Sequence, residues 1–179
     1  KVALMHVQLY PHDIEAHNSL ANVYWNENNP QRYDNAINEY KIMLDIDPEK
    51  YDLYKQIGHA YFNKNDFGNA IQYYERYSKI FVEDSNVLYD IAASYRAMGQ
   101  FDQSISMLEE AILLGNEERY IRSALIFNKY YNKIFDANNV MDELTKLLTK
   151  SDNFRDSVNT YDNLRSLYLM LGQANRSYE

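Results

Sequence analysis

The chain has 179 residues, 46% of them apolar and none of them cysteine, which supplies enough material for a core and excludes disulfides, thiolate metal sites and a cysteine nucleophile. Its 18 basic residues against 26 acidic ones give a net charge of −8, opposite in sign to the footprint of a nucleic-acid binder. Apolar runs are short, so neither membrane insertion nor a signal peptide is predicted, and the expectation is a soluble protein, cytoplasmic by default.

In chain order, residues 1–13 read as the end of a repeat cut through its second helix. Val2, Met5 and Leu9 share a face, then Pro11 and Asp13 stop that helix and cap the next. Residues 14–50 form a first full unit. His17, Leu20, Ala21 and Tyr24 mark one helix face from Ile14 to Trp25, Asn28, Asn29 and Pro30 break it, and Ala36, Ile37, Tyr40, Met43 and Leu44 mark a second helix from Tyr33 to Ile46. Residues 51–84 repeat the plan with helices over Tyr51–Asn63 and Phe67–Ile80, Asp66 serving as N-cap. In residues 85–118 the helices cover Ser85–Ala97 and Phe101–Leu113. Small residues stand where paired helices must approach: Ala21 with Ala36, Gly58 with Ala70, Ala92 with Ser104. Residues 119–153 are a degenerate unit in which Phe135 keeps its aromatic place but Val140, Met141, Leu144, Leu147 and Leu148 fit only after a two-residue slip, predicting a longer loop. Residues 154–179 are an incomplete unit with Tyr161, Leu164, Tyr168 and Gly172, so both ends of the chain read as cut.

Tyr33, Phe67, Phe101 and Phe135 stand 34 residues apart, as do Ile37, Ile71 and Ile105. A period of this size belongs to stacked supersecondary units, each too small to bury its apolar face alone. Short loops make each helix pair antiparallel.

Chemistry has little to work with. His12, Asp13 and His17 include an i,i+4 pair, but no second cluster supplies the three or four convergent ligands a zinc ion needs, and a surface or helix-start role is expected for them. Asp45 and Asp47 open like a calcium loop, yet Pro48 follows and the turn glycine is missing. No phosphate-binding glycine loop or nucleophile elbow occurs. The chain is expected to be no enzyme and to need no cofactor.

The unit 51–84 resembles the tetratricopeptide repeat family, through Tyr54, Ile57, Gly58, Tyr61, Phe67, Ala70, Tyr74 and Tyr77. Leu88, Ile91, Ala92, Tyr95, Phe101, Ser104, Leu108 and Ala111 repeat the signature. His17, Leu20, Ala21, Tyr24, Tyr33, Ala36, Tyr40, Met43 and Pro48 fit it with three extra residues in the turn. Departures include Met43 and Tyr77, larger than the usual Ala, and Val82 in place of the closing Pro. The resemblance implies an all-α, right-handed superhelical solenoid of helix-turn-helix repeats spanning residues 1–179, whose first helices line a concave groove.

The same resemblance puts Glu15, Asn18, Ser19, Asn22 and Trp25 on the concave face, followed by Asp52, Lys55, Gln56, His59 and Phe62, and then Asn86, Tyr89, Asp90 and Arg96. Of these, Asn18, Asn22, Trp25, Lys55, Gln56, His59, Phe62, Asn86, Tyr89, Asp90 and Arg96 are the expected peptide-binding residues. The amides offer donor and acceptor to a peptide main chain, the aromatic residues offer apolar anchors, and the carboxylates favour a basic partner. For Trp25, exposure as an anchor and cover by the Asn28–Arg32 turn both remain open. Some family members clamp the acidic tail of chaperones with paired cations, but Asn86 and Asp90, or Asp90, Tyr120 and Ala124 in the next register, stand where those cations belong. The expected function is therefore a scaffold for a protein or peptide partner other than such a tail. Two alternatives are a substrate-recruiting segment of a larger enzyme and a structural arm that self-associates through its cut ends.

Overall fold

The computed structural model describes residues 2–116 and 119–149. Among these residues there are nine helices and no strand: α1 (Val2–Leu9), α2 (Ile14–Asn26), α3 (Arg32–Ile46), α4 (Asp52–Asn63), α5 (Phe67–Ser78), α6 (Ser85–Ala97), α7 (Phe101–Leu113), α8 (Arg119–Tyr131) and α9 (Ala137–Thr149). The class is an all-α repeat solenoid, divided into two compact units, Lys1–Ser94 and Tyr95–Glu179. The expected helix through Tyr161, Leu164 and Tyr168 lies outside the described residues.

In the first unit, α2 starts where the Asp13 carboxylate accepts the Glu15 N–H at 2.9 Å, and α5 where Asp66 accepts the Asn69 N–H at 3.3 Å. Ala21, Ala36, Ile37, Tyr40, Met43, Leu53, Ile57 and Ala60 form one buried cluster drawn from α2, α3 and α4. The oversized Met43 and Tyr77 are both buried, at 4% and 7% exposure, so the larger side chains are packed rather than displaced. Gly58 is buried too, but the feature that requires it differs from the expected approach of Ala70. A Cβ on Gly58 would lie 2.5 Å from the Tyr74 ring, the largest fully buried side chain of the described residues. His17 stands at the helix start, as one of its two expected roles has it, but the other does not hold. It is not a surface residue: it is 3% exposed and its ring bonds to Glu39 of α3.

Four turns share one backbone device: Gly115, at φ 85° with the Asn116 N–H reaching Ala111 at 3.0 Å, ends α7 with it, and the other three recur with the repeat. Asn65, Gly99 and Lys133 have φ of 63°, 74° and 59°, and they stand 34 residues apart. At each, the next residue's N–H reaches back five residues: Asp66 to Tyr61, Gln100 to Tyr95, Ile134 to Lys129, at 2.9, 2.9 and 2.8 Å. This is the left-handed cap that satisfies the last carbonyls of a helix. The turn from α2 to α3 is built differently, with Glu27 extended at φ −69°, ψ 148° and residues 27–31 between the helices.

In the second unit, α7 and α8 are joined by polar bonds. Buried Asn128 donates to Ser104 Oγ at 2.6 Å, Asn132 donates to Asp102 at 2.5 Å, and Lys129 pairs with Glu109 at 2.9 Å. Residues 132–136 separate α8 from α9, whereas residues 64–66 and 98–100 suffice elsewhere. Phe135 consequently does not begin a helix as Phe67 and Phe101 do. It precedes Asp136, which exchanges bonds with Asn139 (2.8 and 3.1 Å) to cap α9, and it packs on Ile126, Val140 and Leu144.

Candidate peptide-binding site

The sequence-predicted residues fall on α2, α4 and α6, and the structure gives them unequal roles. Asn22 and Gln56 are exposed on α2 and α4, and neither side chain has a hydrogen-bond partner among the described residues. Asn18 is half-buried and Asn86 exposed. Trp25 is half-buried, its ring edge-on to Tyr33 of α3 at 5.3 Å and packed on the core. Phe62 likewise meets Phe67 edge-on at 5.4 Å, and Tyr89 is half-buried. Arg96 is exposed and belongs to the second unit.

The charged members close on one another. Lys55 Nζ lies 2.9 Å from Asp84 Oδ2 and 5.2 Å from the centre of the Tyr77 ring. His59 Nε2 lies 3.1 Å from Asp90 Oδ2, with its ring against Tyr74 at 5.5 Å. Both pairs tie α4 to the start and middle of α6. Their side chains are only 22–35% exposed, so each carries more weight than an open surface pair. Asp90, expected to favour basic ligands, has one carboxylate oxygen bonded to His59.

Asp84 and Tyr77 were not among the predicted site residues, yet Asp84 is the hub of this face. Its carboxylate accepts from Lys55, from the Tyr77 hydroxyl at 2.9 Å and from the Asn86 N–H at 3.1 Å. Partial burial pushes its pKa up, but the bonds from Lys55 and Tyr77 outweigh that and hold it below the ordinary carboxylate value. Burial and the bond to Asp84 push the Tyr77 hydroxyl up to about 12. Only the large residue at the usual small position, Tyr77, hinted at this in the sequence. Among the described residues no cluster of three or more His, Asp or Glu could hold a metal ion, and no helix is long and apolar enough to cross a membrane.

Comparison with known proteins agrees with this architecture. A family model described as tetratricopeptide repeat matches residues 51–80 and 85–114. A stretch of 65 residues, 36% of the chain, is 37% identical to the Hsp70-Hsp90 organizing protein of Triticum aestivum, and spans 11% of that protein's length. The fold is similar to that of a tetratricopeptide repeat protein from Parabacteroides merdae, with a TM-score of 0.71 at 14% identity over 97% of this chain and 65% of that one. It is also similar to that of MamA from Desulfovibrio magneticus RS-1, with a TM-score of 0.68 at 17% identity over 82% of each chain. The family model thus matches two of the repeats by sequence, and the helix arrangement across most of the chain is similar to that of solved tetratricopeptide repeat proteins.

Proposed function

We propose that the chain is a protein-interaction module, and that the face carried by α2, α4 and the first part of α6 binds an extended peptide chiefly through the peptide's main chain. The observation that supports this most is the split among its polar groups. Lys55 and His59 are bonded to Asp84 and Asp90, whereas Asn22 and Gln56 stand exposed with their amides unspent on neighbours. An amide offers both a donor and an acceptor, which matches a peptide bond whatever the side chain. Asn18 and Asn86 extend the row, Trp25, Phe62 and Tyr89 present partly covered rings beside it, and exposed Glu15 and Asp52 favour neutral or basic segments over acidic ones.

Similarity to an Hsp70-Hsp90 organizing protein supports a protein partner. An acidic tail, however, needs cations with open charge. Here Lys55 and His59 are bonded to Asp84 and Asp90, and the positions one repeat further on hold acids or neutral residues. The test replaces Asn22, Gln56 and Asn86 with Ala and measures binding to an array of extended peptides of basic, neutral and acidic composition. Affinity should fall about tenfold or more across sequences with helicity unchanged. Full binding by a folded triple variant, or submicromolar binding of an acidic chaperone-tail peptide, rejects the proposal.

A further inference from the structure

His17 sits in the first turn of α2 with Nδ1 2.6 Å from Glu39 Oε2 and Nε2 3.0 Å from the Pro11 carbonyl oxygen. Both neighbours are acceptors. A neutral imidazole carries one N–H and satisfies one of them; satisfying both takes two protons, one on Nε2 and one held between Nδ1 and the carboxylate. The pair is buried, with side chains 4% and 9% exposed, so water does not substitute for a missing proton at low cost. One side chain thus links α3, α2 and the turn that carries α1. That helix is lightly held: it packs on α2 and His6 approaches Asp13, but none of its residues is buried, and Val2, Met5 and Leu9 are all more than half exposed.

The surroundings set the proton balance. Burial alone pulls the imidazole down, but the bonds to Glu39 and Pro11 and the charges of Glu39 and Asp13 outweigh it, holding His17 above its ordinary 6.5. From α2, the Tyr24 hydroxyl is raised by burial and by the charges of Glu39 and Glu27. From α1, His6 Nε2 approaches Asp13 at 3.5 Å.

We propose that His17 and Glu39 form a proton-operated latch: the doubly protonated ring holds the Pro11 carbonyl, and with it α1, against α2, and loss of one proton releases the turn. The order of events follows from charge. The last proton stays on Nδ1, facing the carboxylate, so the Nε2 lone pair is left against the Pro11 oxygen and that contact becomes repulsive. Because the folded pKa lies above the free one, the latch stabilises fully below about pH 6.5 and is lost as pH rises through the folded value.

The test follows the His17 ring nitrogens by NMR and the α1 amides by hydrogen exchange, corrected for intrinsic rates, from pH 5.5 to 9. The Nε2 proton should be lost with a midpoint above 6.5, and α1 protection should fall about tenfold in the same transition. In Glu39→Gln the carboxylate charge is gone and burial dominates, so the midpoint should drop below 6.5 and α1 should loosen at neutral pH. A wild-type midpoint at or below 6.5, or α1 protection that is flat through it, overturns the latch. Both of those measurements use the wild-type chain, so a variant that fails to fold leaves the test decisive.

Discussion

The helix pairs α4–α5 and α8–α9 keep one register and fill it in opposite ways. Tyr54, Gly58 and Tyr61 of α4 correspond to Arg122, Ile126 and Lys129 of α8, two periods of 34 residues further on. In α4–α5 the rings close the gap between the helices. Tyr61 stacks on Tyr73 at 5.5 Å, Tyr54 lies 6.4 Å from the same ring, and Gly58 vacates the space that Tyr74 occupies. In α8–α9, Ile126 packs with Val140 and Leu144, while Arg122 and Lys129 border a cleft of about 190 Å³ floored by Leu125, Phe135 and Leu147. The repeat therefore specifies where two helices meet and leaves the volume to be divided between them: glycine against tyrosine in one pair, isoleucine against leucine in the other. Where the ring positions become cations, the division no longer fills the space.

The most damaging way to break this comparison is to give α4 an aliphatic side chain of the size that α8 accommodates at Ile126. Gly58→Leu should lower stability by about 3 kcal/mol, at the upper end for overpacking, because the obstructing atoms belong to a ring that is 1% exposed and cannot swing into solvent. If the cause is divided volume rather than helix propensity, Tyr74→Leu in the same chain should recover part of the loss, as Leu144 does beside Ile126. Urea denaturation of the two single variants and the double variant measures the coupling. Strict additivity, or an unchanged midpoint for Gly58→Leu, would show that Tyr74 does not set the size of residue 58.

Legibility followed the same division. The bounds of α6 and α7 are those the pattern predicts, because apolar periodicity, Gly99 and the small residues agree there. In the degenerate unit the two-residue slip of Val140, Met141 and Leu144 predicts the longer loop that is found, with the helix start at Ala137 while Phe135 keeps its period in the loop. The left-handed turn position was hidden: Asn65, Gly99 and Lys133 share a backbone conformation and no side-chain chemistry. At the candidate site, Lys55, His59 and Asp90 were identified as ligand contacts, whereas their partners, 29 and 31 residues away in sequence, are each other's repeat neighbours. His17 is the helix-start residue that the sequence suggests, but its buried bond is hidden there because Glu39 lies 22 residues on in the facing helix. Spacing reveals faces, but it does not reveal which polar groups meet across them.

The comparison is sharpened by restoring an aromatic ring to α8. Lys129→Tyr places in the second unit the residue type that Tyr61 supplies in the first, over a floor that already includes Phe135 and Leu147. The lost pair with Glu109 is a modest cost, since that carboxylate is 51% exposed and such pairs contribute about 0–1 kcal/mol. Filling the cleft should outweigh it, for a net gain of about 1 kcal/mol, seen as a higher Tm. A lower Tm would mean that the α8–α9 cleft is held open by packing that the α4–α5 pair does not share.

The smallest effect concerns the turn the two pairs have in common. A side chain at positive φ brings Cβ against the following carbonyl, which costs roughly 1–2 kcal/mol for most residues and less for Asn. Asn65 and Gly99 meet that requirement in the two regular turns, but Lys133 at φ 59° does not, and its exposed side chain offers no packing in return. Glycine would remove the clash while adding freedom to the unfolded chain, so the two contributions partly cancel. Lys133→Gly should therefore stabilise by about 0.5 kcal/mol, Asn65→Gly should be nearly neutral, and Gly99→Lys should destabilise by more than Lys133→Gly gains. Thermal denaturation of the three variants under one set of conditions ranks them. If Lys133→Gly destabilises while Gly99→Lys does not, the left-handed position is not what ends α8, and the five-residue reach from Ile134 to Lys129 has to be explained by the loop that follows it.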